Sequence, residues 1–455
     1  MFRINYWILY VLIFLATAIL YFPSLNSYFV NDDYNWIQYK SFYEILSTFW
    51  GGWGHGALYR PLTRLLFYFE FLVFDKNPIG YHVISLFLHS TVLFIMFRIA
   101  VLIFSSQTIG YLILILSLFF FPFHEAVCWI SSQTLLLGSV FVSLSLFYFV
   151  NYLIKNNNRN YYLSVAAYLL SLLSYESSIA LPALCFISYF IFNKFDFQNI
   201  KKVLKLLIPF FLLSAVYLVY RKIVLYGLPE ANELATNFMR WFLNYTDYFK
   251  SQILRNTPLL ILFVISLISL IWIKKSQLKY VIFCLLWIFC AYLPFSLIGG
   301  YTGRFAHFSL FGINFFIGYL LFNLENKFKK LKIPIIILLL IYCGFNIYRI
   351  NQNANYWYEA GEIAKEIPVQ LKNLHSDFPE NSTLIFYDVP LIYHQSGVFL
   401  SYFEDVIQSN YSNRLKIIHT AHPFNKDFKK ELYENKEGVF EFRYSLKDRE
   451  LVEIN

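Results

Sequence analysis

The sequence predicts an all-α polytopic membrane protein with about eleven transmembrane helices and a small α/β domain at its C-terminal end. Three observations predict this class. The 455 residues are 58% hydrophobic and only 14% charged, far from the balance of soluble domains. Apolar runs of about 18 or more residues, long enough to cross a hydrocarbon core of about 30 Å, recur along most of the chain. Beyond about residue 350 the composition becomes charged and such runs end.

Each apolar run predicts one helix. The runs lie at about 5–24, 80–104, 108–123, 133–154, 160–175, 178–193, 203–221, 257–273, 280–298, 305–323 and 333–350. The first run resembles a secretory signal, because Ala16, Thr17 and Ala18 fit a small-residue cleavage pattern. We favour a transmembrane helix, because the apolar stretch continues past that point and many further runs follow.

Loop charges predict the orientation. With the N-terminus in the cytoplasm, the inner loops are basic, as the positive-inside rule requires. These inner basic residues are Arg3, Arg98, Lys155, Arg159, Lys194, Lys201, Lys202, Lys205, Lys274, Lys275, Lys279, Lys327, Lys329, Lys330 and Lys332. The acids gather in the outer segments, at Asp32, Asp33, Glu44, Glu70, Asp75, Glu125, Glu176, Glu230, Glu233 and Asp247. The net charge of +9 therefore follows largely from topology, and we expect no nucleic-acid partner.

The predicted organisation has two parts. Residues 1–350 form the transmembrane domain, with long outer loops at about 25–79 and 222–256, and the second loop has the aromatic pattern of an interfacial helix. Residues 351–455 form a small extracytoplasmic α/β domain, in which "STLIFYDVP", "RLKIIHT" and "GVFEFRY" favour strands and "SGVFLSYFEDVIQ" favours a helix. The five cysteines include no CxxC pair, so they predict apolar core residues and no disulfide or zinc framework.

Two adjacent carboxylates, Asp32 and Asp33, follow the first apolar run in "YFVNDDYN". Like charges this close raise the pKa of one of them, which suits a group that accepts a proton near neutral pH. The structural alternative is a solvated turn or a helix cap after the helix. The residues alone leave both interpretations open.

The segments that follow the acid pair carry a resemblance to a known family. They are "YRPLT", then "GYHVISLFLH" at the start of the second run, then "FPFHEAVCWISSQTLLLGSV" and "LLSYESSIALPAL". In this order they resemble membrane glycosyltransferases of the GT-C fold, especially the transmembrane and tetratricopeptide-repeat O-mannosyltransferases and their bacterial relatives. "GGYTGRFAHFSLFG" is more distantly similar to a later segment of that family.

The resemblance implies an enzyme that moves a sugar from a polyprenyl-phosphate-linked donor to an acceptor hydroxyl at the outer face of a bacterial inner membrane. Asp32 would act as the general base in an inverting displacement, and Asp33 would orient the acceptor or tune its neighbour. Arg60, Arg304 and Arg64 would bind the donor phosphate. The acceptor would be a glycan, a lipid or a protein, and the sugar a hexose such as mannose.

Two departures from the family pattern bear on these implications. Tyr175 stands where the family usually has a basic residue before Glu176, so one lipid-phosphate contact is missing there. The tetratricopeptide repeats are absent, which weighs against a protein acceptor. Other outer basic residues, Arg221 and Lys222, are expected to snorkel to the membrane interface.

Further substrate contacts are predicted at His55, His82, His124, Glu125 and Glu176. His55 lies in a glycine-rich loop, "GGWGHGA", that could close over substrate. The spacing of histidines and carboxylates favours no metal site, and we expect no cofactor; "NDD" with Glu125 or Glu176 could hold a divalent ion only if the fold brings them together. The alternative function is a transporter or flippase of a lipid-linked or polysaccharide substrate, although no internal repeat supports it.

Overall fold

The computed structural model describes residues 5–37, 40–51, 58–225, 238–296, 302–411, 414–421, 428, 433 and 437–454. In the membrane part the helices are Tyr6–Leu20 (α1), Asp33–Trp36 (α2), Phe42–Ser47 (α3), Pro61–Phe74 (α4), Pro78–Phe104 (α5), Gln107–Leu118 (α6), His124–Cys128 (α7), Gln133–Lys155 (α8), Asn158–Ser174 (α9), Leu181–Phe192 (α10), Phe197–Val224 (α11), Phe238–Phe249 (α12), Thr257–Ser269 (α13), Leu278–Ser296 (α14), His307–Lys327 (α15) and Lys332–Leu374 (α16). The C-terminal part adds Phe403–Gln408 (α17) and the strands Thr383–Tyr387 (β1), Ile392–Tyr393 (β2), Ser396–Gly397 (β3), Lys416–His419 (β4), Val439–Ser445 (β5) and Glu450–Glu453 (β6).

Within the described residues, six helices are long and apolar enough to cross a membrane, or up to eight if each of two bent helix pairs is one span. The predicted number of about eleven is larger because it also includes shorter helices. Among these, α1 has 15 residues and α10 has 12, both less than a hydrocarbon core of about 30 Å requires of a straight helix. Eleven spans therefore stay a prediction.

Each of the two bent helix pairs contains a short stretch of irregular backbone at its bend. α6 and the segment Phe121–Cys128 meet at 60°, and Phe242–Leu254 meets Thr257–Trp272 at 107°. Asn346 on α16 supports both bends. Its Oδ1 accepts hydrogen bonds from the backbone N–H of Phe121 at 3.1 Å and from Asn256 Nδ2 at 2.9 Å. The buried amide thus satisfies the N–H of Phe121, which an uninterrupted helix would have paired internally, and it fixes the side chain of Asn256 at the second bend.

α16 is 43 residues long and continues without a break past the predicted domain boundary at residue 350. Its C-terminal half packs on the segment that leads from α1 to the acid pair. The hydroxyl of Ser27 donates to the carbonyl of Trp357 at 2.8 Å. A Cβ on Gly361 would overlap the backbone nitrogen of Tyr28, so glycine permits this close approach.

The C-terminal sheet has the order β4-β1-β5-β6, with β1 parallel to both β4 and β5, and β6 antiparallel to β5. Strands β1 and β4 lie within two of the predicted strand segments, and β5 extends one residue beyond the third. α17 occupies the second half of the predicted helical segment, and the short strand β3 lies at the start of that segment. Polar contacts fix the sheet to the end of α16. Gln370 bonds to the backbone of Arg449 and Leu451, and His375 lies 2.8 Å from Glu453.

Candidate active site

A cavity of about 700 Å³ lies where the segment that carries Asp32, α11, α14 and the C-terminal part of the chain meet. The size suits a small ligand such as a sugar phosphate. It is lined by Asp32, Asn35, Trp36, Leu58, Arg60, Trp129, Ser131, Thr134, Tyr175, Glu176, Ser177, Ile179, Tyr217, Leu218, Arg221, Pro294, Phe295, Arg304, Phe305, Ser401 and Tyr402. The wall therefore combines two carboxylates and three guanidinium groups with aromatic and aliphatic side chains.

The two adjacent aspartates point in different directions. Asp32 lines the cavity, while Asp33 turns into the protein and is only 1% exposed. One oxygen of Asp33 accepts from the backbone N–H of Val30 at 3.0 Å, and the other accepts from the backbone N–H and the hydroxyl of Ser131. Asp33 thus fixes the turn that presents Asp32.

Burial raises the pKa of Asp33 to about 7, although the hydrogen bonds from Ser131 and Val30 act against this rise. The nearby charge of Asp32 adds to the increase. The sequence predicted a raised pKa for one member of the pair. In the structure the raised pKa belongs to Asp33, whose carboxyl does not line the cavity.

Residues of the C-terminal domain reach this turn. The hydroxyl of Ser401 lies 2.6 Å from Asp32 Oδ1, and Asn35 donates from Nδ2 to the hydroxyl of Tyr402 at 2.6 Å. Burial raises the pKa of Tyr402, and the negative charge of Asp32 raises it further. The C-terminal domain therefore forms one wall of the cavity.

Arg60, which precedes α4, forms a two-point ion pair with Glu176. Its Nε donates to Oε2 at 2.8 Å and its Nη2 donates to Oε1 at 2.6 Å. The guanidinium also lies 4.4 Å from the centre of the Tyr175 ring. Tyr175 therefore supports a cation that comes from another part of the chain.

Arg304 and Glu125 form a looser pair. The Nη1 of Arg304 lies 3.7 Å from Glu125 Oε1, which is longer than a hydrogen bond, while its backbone N–H donates to Oε2 at 3.1 Å. The guanidinium lies 4.0 Å from the centre of the Trp129 ring. A Cβ on Gly303 would approach Glu125 Oε2 to 2.7 Å, so glycine leaves room for this carboxylate. Arg304 is thus held both by stacking and by the charge of Glu125, and its side chain lines the cavity.

Arg221 lies in the cavity wall near the end of α11, although the sequence favoured interfacial snorkelling for it. Its Nε is buried without a hydrogen-bond partner among the described residues. The adjacent wall is apolar and includes Leu218, Pro294 and Phe295. This side of the cavity therefore combines a positive charge with an adjacent apolar surface.

The other predicted residues lie elsewhere. Arg64 is buried and donates to the backbone carbonyls of Asn35 and Trp36 at 3.2 and 2.8 Å, so it supports the turn from outside the cavity lining. His82 contacts the carbonyl of Ser27 at 3.0 Å, also outside the lining. Arg64 was predicted to bind the donor phosphate and His82 to contact substrate, but neither side chain lines this cavity.

His124 accepts from Trp357 Nε1 at 3.3 Å and lines a smaller, separate cavity of about 110 Å³ together with Glu125, Arg255 and Arg349. Glu125 therefore lies between the two cavities. His55 lies outside the described residues. In the described part of the chain, no group of three or more His, Cys, Asp or Glu side chains is arranged to hold a metal ion.

Comparison with solved structures places this arrangement in a known fold. ArnT from Cupriavidus metallidurans in the apo state aligns with a TM-score of 0.54 over 95% of this chain and 92% of that chain, at 12% identity. The chain has the GT-C fold. A second structure of that ArnT, bound to undecaprenyl phosphate, gives a TM-score of 0.49 at 11% identity, with the same coverage of both chains. No protein-family model matches the sequence, and no curated protein matches it either.

The GT-C fold confirms the coarse part of the resemblance seen in the sequence. It does not distinguish the O-mannosyltransferase branch, which stays a prediction. Of the residues singled out from sequence, Asp32, Arg60, Arg304 and Glu176 meet in one cavity. Ser401 and Tyr402 had no sequence signal, because their place in the wall depends on how the C-terminal domain packs.

Proposed function

We propose that this protein transfers a sugar from a polyprenyl-phosphate-linked donor to an acceptor hydroxyl at the outer face of the membrane. The observation that carries the proposal is a single cavity that is lined by Asp32, Arg304, Arg221 and an apolar surface. An acceptor hydroxyl needs a base, the departing lipid phosphate needs hydrogen-bond donors, and an isoprenoid needs an apolar surface. The cavity offers all three.

Asp32 acts as the general base in this proposal. It takes the proton of the acceptor hydroxyl while that oxygen attacks the anomeric carbon and the lipid phosphate leaves. Glu176 is the other carboxylate of the wall, and both of its oxygens are bound by Arg60. This pairing makes Glu176 a poor nucleophile, which favours a direct displacement with inversion over a covalent glycosyl intermediate.

Arg304 is the first choice for the donor phosphate, because its side chain lines the cavity and its ion pair with Glu125 is looser than that of Arg60 with Glu176. Arg221 is the second, since its Nε has no described partner beside the apolar wall. Arg60 remains a candidate with fewer available donors, because Glu176 occupies two of its nitrogens. A polyprenyl phosphate is also the ligand in a solved structure of ArnT, whose apo form shares this fold.

A transporter or flippase remains the second candidate. The two bent helix pairs favour it, because interrupted helices often line transport sites near the middle of a membrane. Against it, Ser401 and Tyr402 of the C-terminal domain line the same cavity as Asp32. A wall formed by an extramembrane domain belongs at one membrane face, where transfer to an external acceptor would occur.

The experiment uses the full chain in proteoliposomes with radiolabelled undecaprenyl-phosphate sugars, beginning with mannose, and a cell-envelope acceptor fraction. The proposal expects a labelled glycosyl product from the wild type and almost none from Asp32→Asn. The matched control is Asp75→Asn, an exposed aspartate at the C-terminal end of α4. Movement of labelled lipid across the bilayer without product supports the transporter, and full transfer by Asp32→Asn refutes the assigned base.

A further inference from the structure

The turn that carries Asp32 is bound directly to a segment about 370 residues later in the chain. The backbone N–H of Asn31 donates to the carbonyl of Val398 at 3.0 Å. In return, Asn31 Oδ1 accepts from the backbone N–H of Ser401 at 2.8 Å. This second bond identifies that side-chain atom of Asn31 as the oxygen. The two segments are therefore in register with each other at the residue next to the proposed base.

Ser401 Oγ lies 2.6 Å from Asp32 Oδ1 and 2.9 Å from Asn31 Oδ1. A serine hydroxyl has one hydrogen to donate, and both of these neighbours are acceptors while Asp32 is ionised. The shorter distance assigns the hydrogen to Asp32 in that state. Asn31 then already has a donor in the backbone N–H of Ser401, so its oxygen is not left unpaired.

The same geometry serves the protonated state of Asp32. When the carboxyl carries a proton, it can donate to Ser401 Oγ, and the serine hydrogen can turn to Asn31 Oδ1. The proton stays on Asp32 and only the serine hydroxyl rotates. Asp32 therefore keeps a hydrogen bond to Ser401 before and after it accepts a proton.

We propose that Ser401 is a positioning residue for Asp32, and that the C-terminal domain thereby completes the catalytic site. This inference rests on the proposed function. It explains why a domain outside the membrane helices contacts the base itself. The hydrogen bond between Ser401 and Asp32 is stronger when Asp32 is ionised, because hydrogen bonds to charged groups are about twice as strong as neutral ones.

Backbone conformation supports the assignment. Asn31 has φ of 52° and Tyr402 has φ of 63°, so the residues next to Asp32 and Ser401 are both in the left-handed region. Asparagine tolerates this region, whereas tyrosine enters it at a cost and rarely. Such strain is retained where the surroundings impose it, often at functional sites. Here the hydroxyl of Tyr402 is fixed by Asn35.

The test compares Ser401→Ala and Ser401→Thr in the full chain, with the donor that the wild type uses in the proteoliposome assay. We expect Ser401→Ala to lower kcat about tenfold with little change in donor KM, because a base that is no longer held in one orientation is less often in the geometry that reacts. Ser401→Thr retains a hydroxyl and should restore most of the lost kcat. Ser409→Ala is the matched control, since its hydroxyl donates to the carbonyl of Val406 in the same domain.

Each outcome is decisive. A wild-type kcat in Ser401→Ala contradicts the inference, and so does an equal loss in the Ala and Thr variants, which would indicate packing. Thermal unfolding of each variant separates a loss of fold from a loss of positioning. If Asp32→Asn retains full transfer, the proposed base itself has failed. If Asp32→Asn is inactive while Ser401→Ala is unaffected, only this inference falls.

Discussion

Arg60 and Glu176 are joined by two parallel hydrogen bonds of 2.8 and 2.6 Å, with side chains only 14% and 22% exposed. Loss of one partner has a larger effect in such a buried ion pair than in an exposed one. Removing one partner leaves the other charge without its counter-ion in a poorly hydrated place, and the cost is then larger than the net worth of the pair.

We therefore expect Arg60→Ala to lower the free energy of unfolding by about 1–3 kcal/mol, between the usual values for buried and exposed pairs. The matched control is Arg443→Ala, whose partner Asp388 lies 3.3 Å away with both side chains more than half exposed. That change should cost less than about 1 kcal/mol. Thermal unfolding in detergent measures both, and equal stabilities would show that the Arg60 pair behaves as a surface pair.

Arg304→Lys tests the donor site. Lysine keeps the positive charge but loses the planar stacking on Trp129 and the two-point geometry of a guanidinium. We expect KM for the lipid-linked donor to rise about tenfold or more while the unfolding temperature changes little. Arg98→Lys is the control, because Arg98 is also stacked, 4.0 Å from the ring centre of Tyr6, but does not line the cavity. A wild-type donor KM in Arg304→Lys would remove Arg304 from the phosphate site.

The two aspartates should respond differently to conversion to asparagine. Asp32→Asn cannot accept a proton, so transfer should fall by about 10²–10⁴ with the fold intact. Asp33→Asn should cost less activity and more stability, because its amide nitrogen cannot accept the hydrogen bonds that both carboxylate oxygens now accept. Transfer rates and unfolding temperatures of the two variants, measured side by side, check this. The opposite order of effects would exchange their roles.

Asp33 also predicts a pH dependence of stability. Its pKa in the folded protein is about 7, above the ordinary value of 3.8, so the folded state holds the proton more tightly than the unfolded state. The stabilisation is complete below about pH 4 and is lost as pH rises through about 7, by roughly 2–4 kcal/mol in total. Unfolding curves at pH 5 and pH 8 should therefore differ more for the wild type than for Asp33→Asn. Asp75→Asn should retain the wild-type difference.

The orientation makes a separate prediction. Residues of the C-terminal domain should face outward, as should Asp32, Glu125 and Glu176, while Lys201 and Lys330 should face the cytoplasm. After replacement of the five native cysteines, a cysteine introduced at Ser409 should react with an impermeant thiol reagent in intact cells, and one at Lys201 only after lysis. The reverse pattern would invert the topology and place the cavity on the cytoplasmic side.

The sequence predicted part of this site and missed part for identifiable reasons. Asp32 and Glu176 were found because each follows an apolar run, where a charge is conspicuous, and Arg60 was found because it lies in "YRPLT", a segment that resembles a known family. Arg64 looked equivalent to Arg60, but it lies one helical turn further along the chain, where its guanidinium donates to the backbone carbonyls of Asn35 and Trp36. Ser401 is a common residue in a segment that was predicted to be helical, and its contact with Asp32 exists only after the chain has folded over several hundred residues.

The number of membrane spans was also difficult to predict from sequence, because it too depends on contacts between distant residues. Apolar composition identifies helices that contact lipid or one another, but it does not say which of them bend or stop short. The break after α6 depends on Asn346, a residue of α16 more than 200 positions away, which accepts the N–H of Phe121. Periodicity within one segment carries no information about such a partner.

The length of α16 gives the cavity beside Asp32 a mechanical property. At about 1.5 Å per residue its 43 residues extend roughly 65 Å, about twice the thickness of the hydrocarbon core. A tilt of about 10° in a thinner or thicker bilayer would swing its C-terminal half sideways by about 5 Å. That half is bound through Ser27 to the segment that leads into Asp32, and through Gln370 to the C-terminal sheet, so both walls move with it as one body. The spacing between Asp32 and the Ser401 hydroxyl is thereby insulated from changes in the surrounding lipid.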